Sequence, residues 1–212
     1  MKLQDYRREY LRDGLRRKQL HSDPILQFET WLQQAIDAGL SDPTAMTIAT
    51  VDAQGQPRQR IVLLKQLDDK GFVFFTNKDS HKGRDIAHNP KVSLHFPWHP
   101  LERQVKILGE AECLKGDEVA SYFSSRPKES QLAAWASEQS QVIPSRQYLL
   151  ERYTTLQEQY ANSEAPLPTF WGGYRVSPQT IEFWQGGEHR LHDRFEYTLD
   201  KDGHWNIQRL AP

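Results

Sequence analysis

Sulfur is scarce in this 212-residue chain, which has one cysteine, Cys113, and two methionines. A single thiol excludes an intrachain disulfide framework and any multi-cysteine zinc site, so Cys113 is expected to be a buried, inert side chain. No stretch approaches the roughly 18 uninterrupted apolar residues of a membrane span. The amino-terminal MKLQDYRREYLRDGLRRKQ is charged throughout and lacks the apolar centre of a signal peptide, so the cytoplasm is the expected compartment. The formal net charge is -1; no global field favours nucleic acid or an anionic membrane, and any anion site must be assembled locally. Glycine-rich phosphate loops are missing too, because Gly172-Gly173 and Gly186-Gly187 lack the flanking pattern of either common type. No GxSxG elbow supports a serine hydrolase. His95 and His99 are separated by Pro97 and cannot share a helix face as metal ligands.

What is present indicates a soluble globular protein. Hydrophobic residues make up 37% of the chain and aromatics 11%, against 26% charged, at a length suited to one sizeable core. Residues 1–20 read as a basic, partly helical arm carrying Arg16, Arg17 and Lys18, and residues 21–212 as a single domain. Asp23-Pro24 is a good N-cap with proline in the first helical turn. Ile25, Phe28, Leu32 and Ile36 follow at helical spacing, with Gly39 at the stop. The pattern then changes to period two and short apolar runs over residues 45–51, 58–67, 72–76, 91–96 and 103–114, and again over 173–184, 191–199 and 204–209. Helical patterns fall at 80–88, 116–126, 131–137 and 145–160. The expected class is α+β with an antiparallel β-barrel core.

Three clusters could carry chemistry. In Arg58-Gln59-Arg60-Ile61-Val62-Leu63-Leu64-Lys65 an apolar strand is bracketed by cations. A regular strand would send Arg60 and Lys65 to opposite faces, which suits two different anions, although charges at strand ends also explain the pattern. Tyr122 and Arg126 lie four apart on a helix that Pro127 ends, and Ser130 is placed to cap the helix that follows. Together they make either a phosphate cradle or an ordinary capped helix pair. Arg190, His192 and Arg194 would share one strand face, where their mutual repulsion calls for an anion or an electron-rich ring, unless the strand end is simply at the surface.

These clusters, with Arg7-Arg8-Glu9-Tyr10, Phe96-Pro97-Trp98, Glu102-Arg103-Gln104-Val105, Phe170-Trp171-Gly172-Gly173, Trp184-Gln185-Gly186 and the terminal Arg209-Leu210-Ala211-Pro212, occur in an order that resembles the bacterial pyridoxine/pyridoxamine 5'-phosphate oxidases over nearly the whole chain. The resemblance implies a Greek-key-like, FMN-binding split β-barrel with flanking helices, working as a homodimer with FMN at the subunit interface. It implies oxidation of pyridoxamine or pyridoxine 5'-phosphate to pyridoxal 5'-phosphate in vitamin B6 synthesis and salvage, with oxygen as acceptor, hydrogen peroxide as product and ammonia released from the amine. By the same resemblance, Arg60, Ile61, Val62, Leu63, Leu64, Lys65, Phe75, Thr76, His81, Lys82, Gln104, Gln139, Ser140, Trp184 and Arg194 would meet FMN. Lys65, Tyr122, Arg126 and Ser130 would hold the substrate phosphate. Arg7, Arg8, Glu9, Tyr10 and Leu191 would border the substrate, and Arg190 and His192 would act at its ring. Where many relatives place arginine before the FMN-phosphate lysine, this chain has His81, which predicts weaker or more pH-dependent FMN binding. A split-barrel flavin reductase and a non-catalytic carrier of FMN or pyridoxal phosphate are the rival readings; neither needs both the Tyr122/Arg126/Ser130 group and the Arg190/His192 pair. Arg16, Arg17 and Lys18, with Arg209, are a candidate second anion site.

Overall fold

The structure is a computed structural model and describes residues 2–3, 9–11 and 14–212. Arg7 and Arg8 lie outside the described residues. Of the expected helical arm, the described part contains only a 3-10 turn at Arg17–Gln19.

Helix α1, Pro24–Asp37, starts where Asp23 accepts the backbone N–H of Ile25 and ends before Gly39 at φ 72°. Its buried face is Ile25, Phe28, Trp31 and Ala35, with Gln27. Ile36, expected on this face, is exposed, because the core stripe drifts onto Trp31 and Ala35. Strands β1 (Ala45–Val51), β2 (Pro57–Leu63), β3 (Gln66–Asp68) and β4 (Gly71–Asn77) follow, then helix α2 (His81–His88), β5 (Lys91–Trp98) and β6 (Arg103–Cys113). Three helices, α3 (Gly116–Ser125), α4 (Lys128–Ala136) and α5 (Arg146–Gln159), precede the 15-residue β7 (Trp171–Gln185), β8 (Asp193–Leu199) and β9 (Trp205–Leu210).

Nine strands pair antiparallel in one curled sheet; seven follow the order β2-β1-β5-β6-β7-β4-β3, and β8 with β9 branches from β7. Strand β7 makes the split. One of its edges pairs with β6 along its length; the other pairs with β4 over Trp171–Val176 and with β8 over Thr180–Gln185. A register shift at Leu108/Gly109, opposite Pro178, supplies the bend between the halves. Phe28 fills the concave side, its ring against those of Phe72, Phe96 and Trp98. This is the expected α+β split barrel with flanking helices.

Four local expectations are corrected. β2 stops at Leu63; Leu64 turns into the core, donating its N–H to Thr44, so the strand is not regular through Lys65. Ser130 lies inside the first turn of α4, whose N-cap is Pro127, because the helix begins three residues earlier than the apolar pattern suggests. Residues Glu188–Arg190 form a 3-10 turn, with His189 and Arg190 at positive φ, and β8 starts only at Asp193; Arg190, His192 and Arg194 therefore do not share a strand face. Cys113 ends β6 and is exposed. Among the described residues, no helix is long and apolar enough to cross a membrane.

Candidate functional site

A cavity of about 840 Å3 opens along β2, bounded by β4, α2, α3 and the Gln139-Ser140 segment between α4 and α5. β2 is an edge strand whose outward residues Gln59, Ile61 and Leu63 are exposed while Arg58, Arg60 and Val62 are half-buried, and both sets line the cavity. Arg60 and Lys65, expected to diverge to separate faces, line the same cavity, as do residues from both faces of β2.

At one end, α2 brings in Lys82. Ser80 caps this helix by accepting the N–H of Gly83, and Gly83 is obligatory: a Cβ there would lie 1.9 Å from the carbonyl oxygen of Lys78. The Lys82 ammonium is buried and donates to Gln139 Oε1 (2.6 Å), Thr76 Oγ1 (2.9 Å) and Ser80 Oγ (3.1 Å). These acceptors are neutral; no carboxylate pairs with Lys82 among the described residues. Burial, with the Arg60 charge second, pushes its pKa down to about 8. Ser140, at φ 71°, and His81 complete this end.

At the other end stand Lys65, Tyr122 and Arg126. The Arg126 guanidinium lies 4.3 Å from the centre of the Trp171 ring, and its Nη1 is buried without a hydrogen-bond partner, as is Trp171 Nε1. Burial lowers the Arg126 pKa and raises that of Tyr122. The Tyr122 ring stacks on Phe75 at 3.7 Å. Buried donors without acceptors are costly, and they mark a place shaped for an anionic group. The expected cofactor and substrate sets omitted Trp171, Arg58 and Gln59, which line the cavity, although Arg58 and Gln59 belong to the cation-bracketed run and Trp171 to the Phe170-Trp171-Gly172-Gly173 segment.

The remaining predicted residues gather elsewhere. Tyr10 meets Trp184 and His192 edge-on, with ring centres 5.6 and 5.3 Å apart. His192 Nδ1 accepts the N–H of Gly187 (3.1 Å), and burial, then the Arg190 charge, lowers its pKa. The ring is therefore held neutral with its proton on Nε2. Arg194 is locked by Glu182 through Nε (2.8 Å) and Nη2 (3.1 Å). Burial raises the Glu182 pKa, but hydrogen bonds from Arg194 and Lys106 outweigh it and hold the carboxyl low. Gln104 bonds His95. None of Glu9, Tyr10, Gln104, Ser130, Trp184, Arg190, Leu191, His192 and Arg194 lines the cavity, nor does Leu64. β7 explains the separation: Trp171 and Trp184 are thirteen residues apart on one strand, roughly 40 Å at the usual rise.

Comparison with known proteins agrees with this architecture. Residues 32–160 match the family model described as pyridoxamine 5'-phosphate oxidase, and residues 171–212 that of the pyridoxine 5'-phosphate oxidase C-terminal dimerisation region. Pyridoxine/pyridoxamine 5'-phosphate oxidases of Vibrio cholerae serotype O1 and Vibrio vulnificus are 63% and 62% identical over the full length of both chains. A crystal structure of PhzG from Burkholderia lata, in complex with tetrahydrophenazine-1-carboxylic acid, superposes with TM-score 0.89 at 29% identity, covering 94% of this chain and 98% of that one. A pyridoxamine 5'-phosphate oxidase-related, FMN binding protein from Nostoc punctiforme shares the fold at TM-score 0.71 and 12% identity, over 91% and 100% of the two chains. With curled sheet, cation-lined cavity and full-length identity in agreement, the chain belongs to the pyridoxine/pyridoxamine 5'-phosphate oxidase family of oxidoreductases.

Proposed function

We propose that the chain is a cytoplasmic, FMN-dependent oxidase that converts pyridoxamine or pyridoxine 5'-phosphate to pyridoxal 5'-phosphate, with oxygen as electron acceptor, as a homodimer. One observation carries the reading. The cavity holds two sets of cationic donors that no carboxylate occupies directly, Lys82 with Arg60 at one end and Arg126, whose Nη1 has no partner among the described residues, with Lys65 at the other, joined by the apolar Ile61–Leu63 edge. FMN and substrate each bring a phosphate, so two anion loci flanking a slot for stacked rings fit this donor set.

Lys82, Arg60, Gln139 and Ser140 would hold the FMN phosphate, and Lys65, Tyr122 and Arg126 the substrate phosphate. Anchoring the substrate by a group remote from the reacting carbon supplies orientation. When bound, FMN supplies the two-electron chemistry that no side chain here can perform, with hydrogen peroxide the product of its reoxidation. Ser130, inside α4 and off the cavity, is the weakest member of the proposed set.

The Arg190/His192 group would complete the site of the second copy. On its own chain it is a long strand away from the cavity, and the carboxy-terminal residues that carry it match a dimerisation region. With Nδ1 occupied, His192 would present Nε2–H as a donor to the substrate ring, and Arg190 would offset negative charge developing there.

Anaerobic mixing of the purified protein with pyridoxamine 5'-phosphate tests the reading. Bleaching near 450 nm that reverses in air, with pyridoxal 5'-phosphate and peroxide formed, is expected. A flavin that bleaches only with a nicotinamide donor would replace it with a reductase, and tight binding of both ligands without turnover would replace it with a carrier.

A further inference from the structure

Behind the cationic wall of the cavity lies a buried carboxylate, and it belongs to the helix that supplies Lys82. Asp85, three residues on in α2, is 4% exposed and faces β1 and β2. Its Oδ2 accepts the hydroxyl proton of the fully buried Thr50 at 2.7 Å. Thr50 Oγ1 in turn accepts from Arg60 Nη1 at 2.6 Å, and Arg60 Nη2 lies 3.8 Å from the same Asp85 oxygen. Arg58, held by Asp52 at 2.7 Å, approaches the other Asp85 oxygen at 3.4 Å.

A hydroxyl has one proton. An ionised carboxylate can only accept, so Asp85 takes the Thr50 proton and leaves the oxygen lone pairs for Arg60. The direction of the chain Arg60 to Thr50 to Asp85 is thereby set. Without it, Arg60 would be left beside Arg58 and Lys82, two like charges whose repulsion favours swinging into solvent.

We propose that Asp85 is a positioning residue which, through Thr50, fixes the Arg60 guanidinium on the cavity wall, so that Arg60 and Lys82 meet the cofactor phosphate as a preset pair. The proposal rests on the assignment of this end of the cavity to the FMN phosphate. It makes a prediction opposite in sign to bulk electrostatics. Removing a carboxylate from beside a phosphate site lessens repulsion and by charge alone tightens binding; loss of positioning weakens it.

The test measures FMN and riboflavin affinity by flavin fluorescence quenching on the full-length apo-protein, for wild type, Asp85→Asn and Thr50→Val. Asp85→Asn keeps the shape but lets the amide donate to Thr50, reversing the hydroxyl. Both variants are expected to weaken FMN binding about tenfold, the scale of one hydrogen bond to a charged group, while riboflavin affinity, which does not involve a phosphate, is unchanged. Thr50→Val reports the same outcome if Asp85→Asn fails to fold. FMN affinity that is unchanged or tighter in the variants overturns the role of Asp85. Equal loss for FMN and riboflavin overturns it in favour of general damage. A wild type that does not prefer FMN to riboflavin overturns the phosphate assignment itself, and the proposal with it.

Discussion

Raising the pH through the range of Lys82 perturbs the proposed FMN-phosphate end without changing an atom of the backbone. Burial, then Arg60, brings the Lys82 pKa down to about 8. The lowered value means that the empty site disfavours the ammonium; that penalty is fully present below about 8 and disappears as pH rises toward the unfolded value of 10.5. A phosphate dianion needs the ammonium. About nine-tenths of Lys82 is protonated at pH 7 and about one-tenth at pH 9, so the FMN dissociation constant should rise about tenfold between them, or about 1.4 kcal/mol, with roughly twofold of this reached at pH 8. The phosphate itself is already dianionic across this range. Fluorescence titrations of the apo-protein at pH 7, 8 and 9 measure the slope, with Lys82→Met as the control expected to bind weakly and without the slope. A flat wild-type profile, or the same slope in Lys82→Met, would refute the reasoning.

Arg126→Met is expected to raise KM for pyridoxamine 5'-phosphate by about 10- to 100-fold, the loss of a charged contact, while FMN affinity holds; steady-state kinetics with an FMN titration separate the two. Gly83→Ala would force a methyl into the Lys78 carbonyl and should cost roughly 2–4 kcal/mol in urea unfolding, with loss of FMN, because α2 must shift. Phe28→Ala, which empties the centre of the aromatic cluster, should cost about 3–5 kcal/mol in the same assay. Co-expressing Arg126→Ala and His192→Ala chains, assayed at a substrate concentration too low for either alone to turn over measurably, should restore about a quarter of wild-type activity, since half of random dimers are mixed and each holds one intact site of two; no recovery would mean that both groups serve the same chain's site.

Element types and most boundaries were legible because period two and period 3.6 seldom coincide. Ala45–Val51 and the Asp23-capped start of α1 needed nothing beyond local pattern. What was not legible depended on interactions distant in sequence. The run 58–67 reads as one strand, but Leu64 is drawn inward by Thr44 and the core, and Arg60 and Lys65 on either side of the break line one cavity. The 190–194 segment has strand composition, yet His189 and Arg190 take positive φ. Cations at strand and helix ends signalled anion sites by type, but their grouping into two ends of one cavity required the fold. Asp85, deep in a short helix of mixed charge, had no distinguishing sequence mark.

Among the described residues, β2 leaves one edge unpaired, with Ile61 73% and Leu63 41% exposed along it. A newly made chain thus emerges with a sticky, strand-shaped rim, the kind of surface that recruits other copies indiscriminately until something covers it. The features that would make the rim a cofactor wall would also make the unloaded, unpartnered chain the species most prone to misassociation. Soluble yield during overproduction should therefore follow the flavin content of the host, and a cell short of the vitamin would lose this enzyme through aggregation as well as through want of cofactor.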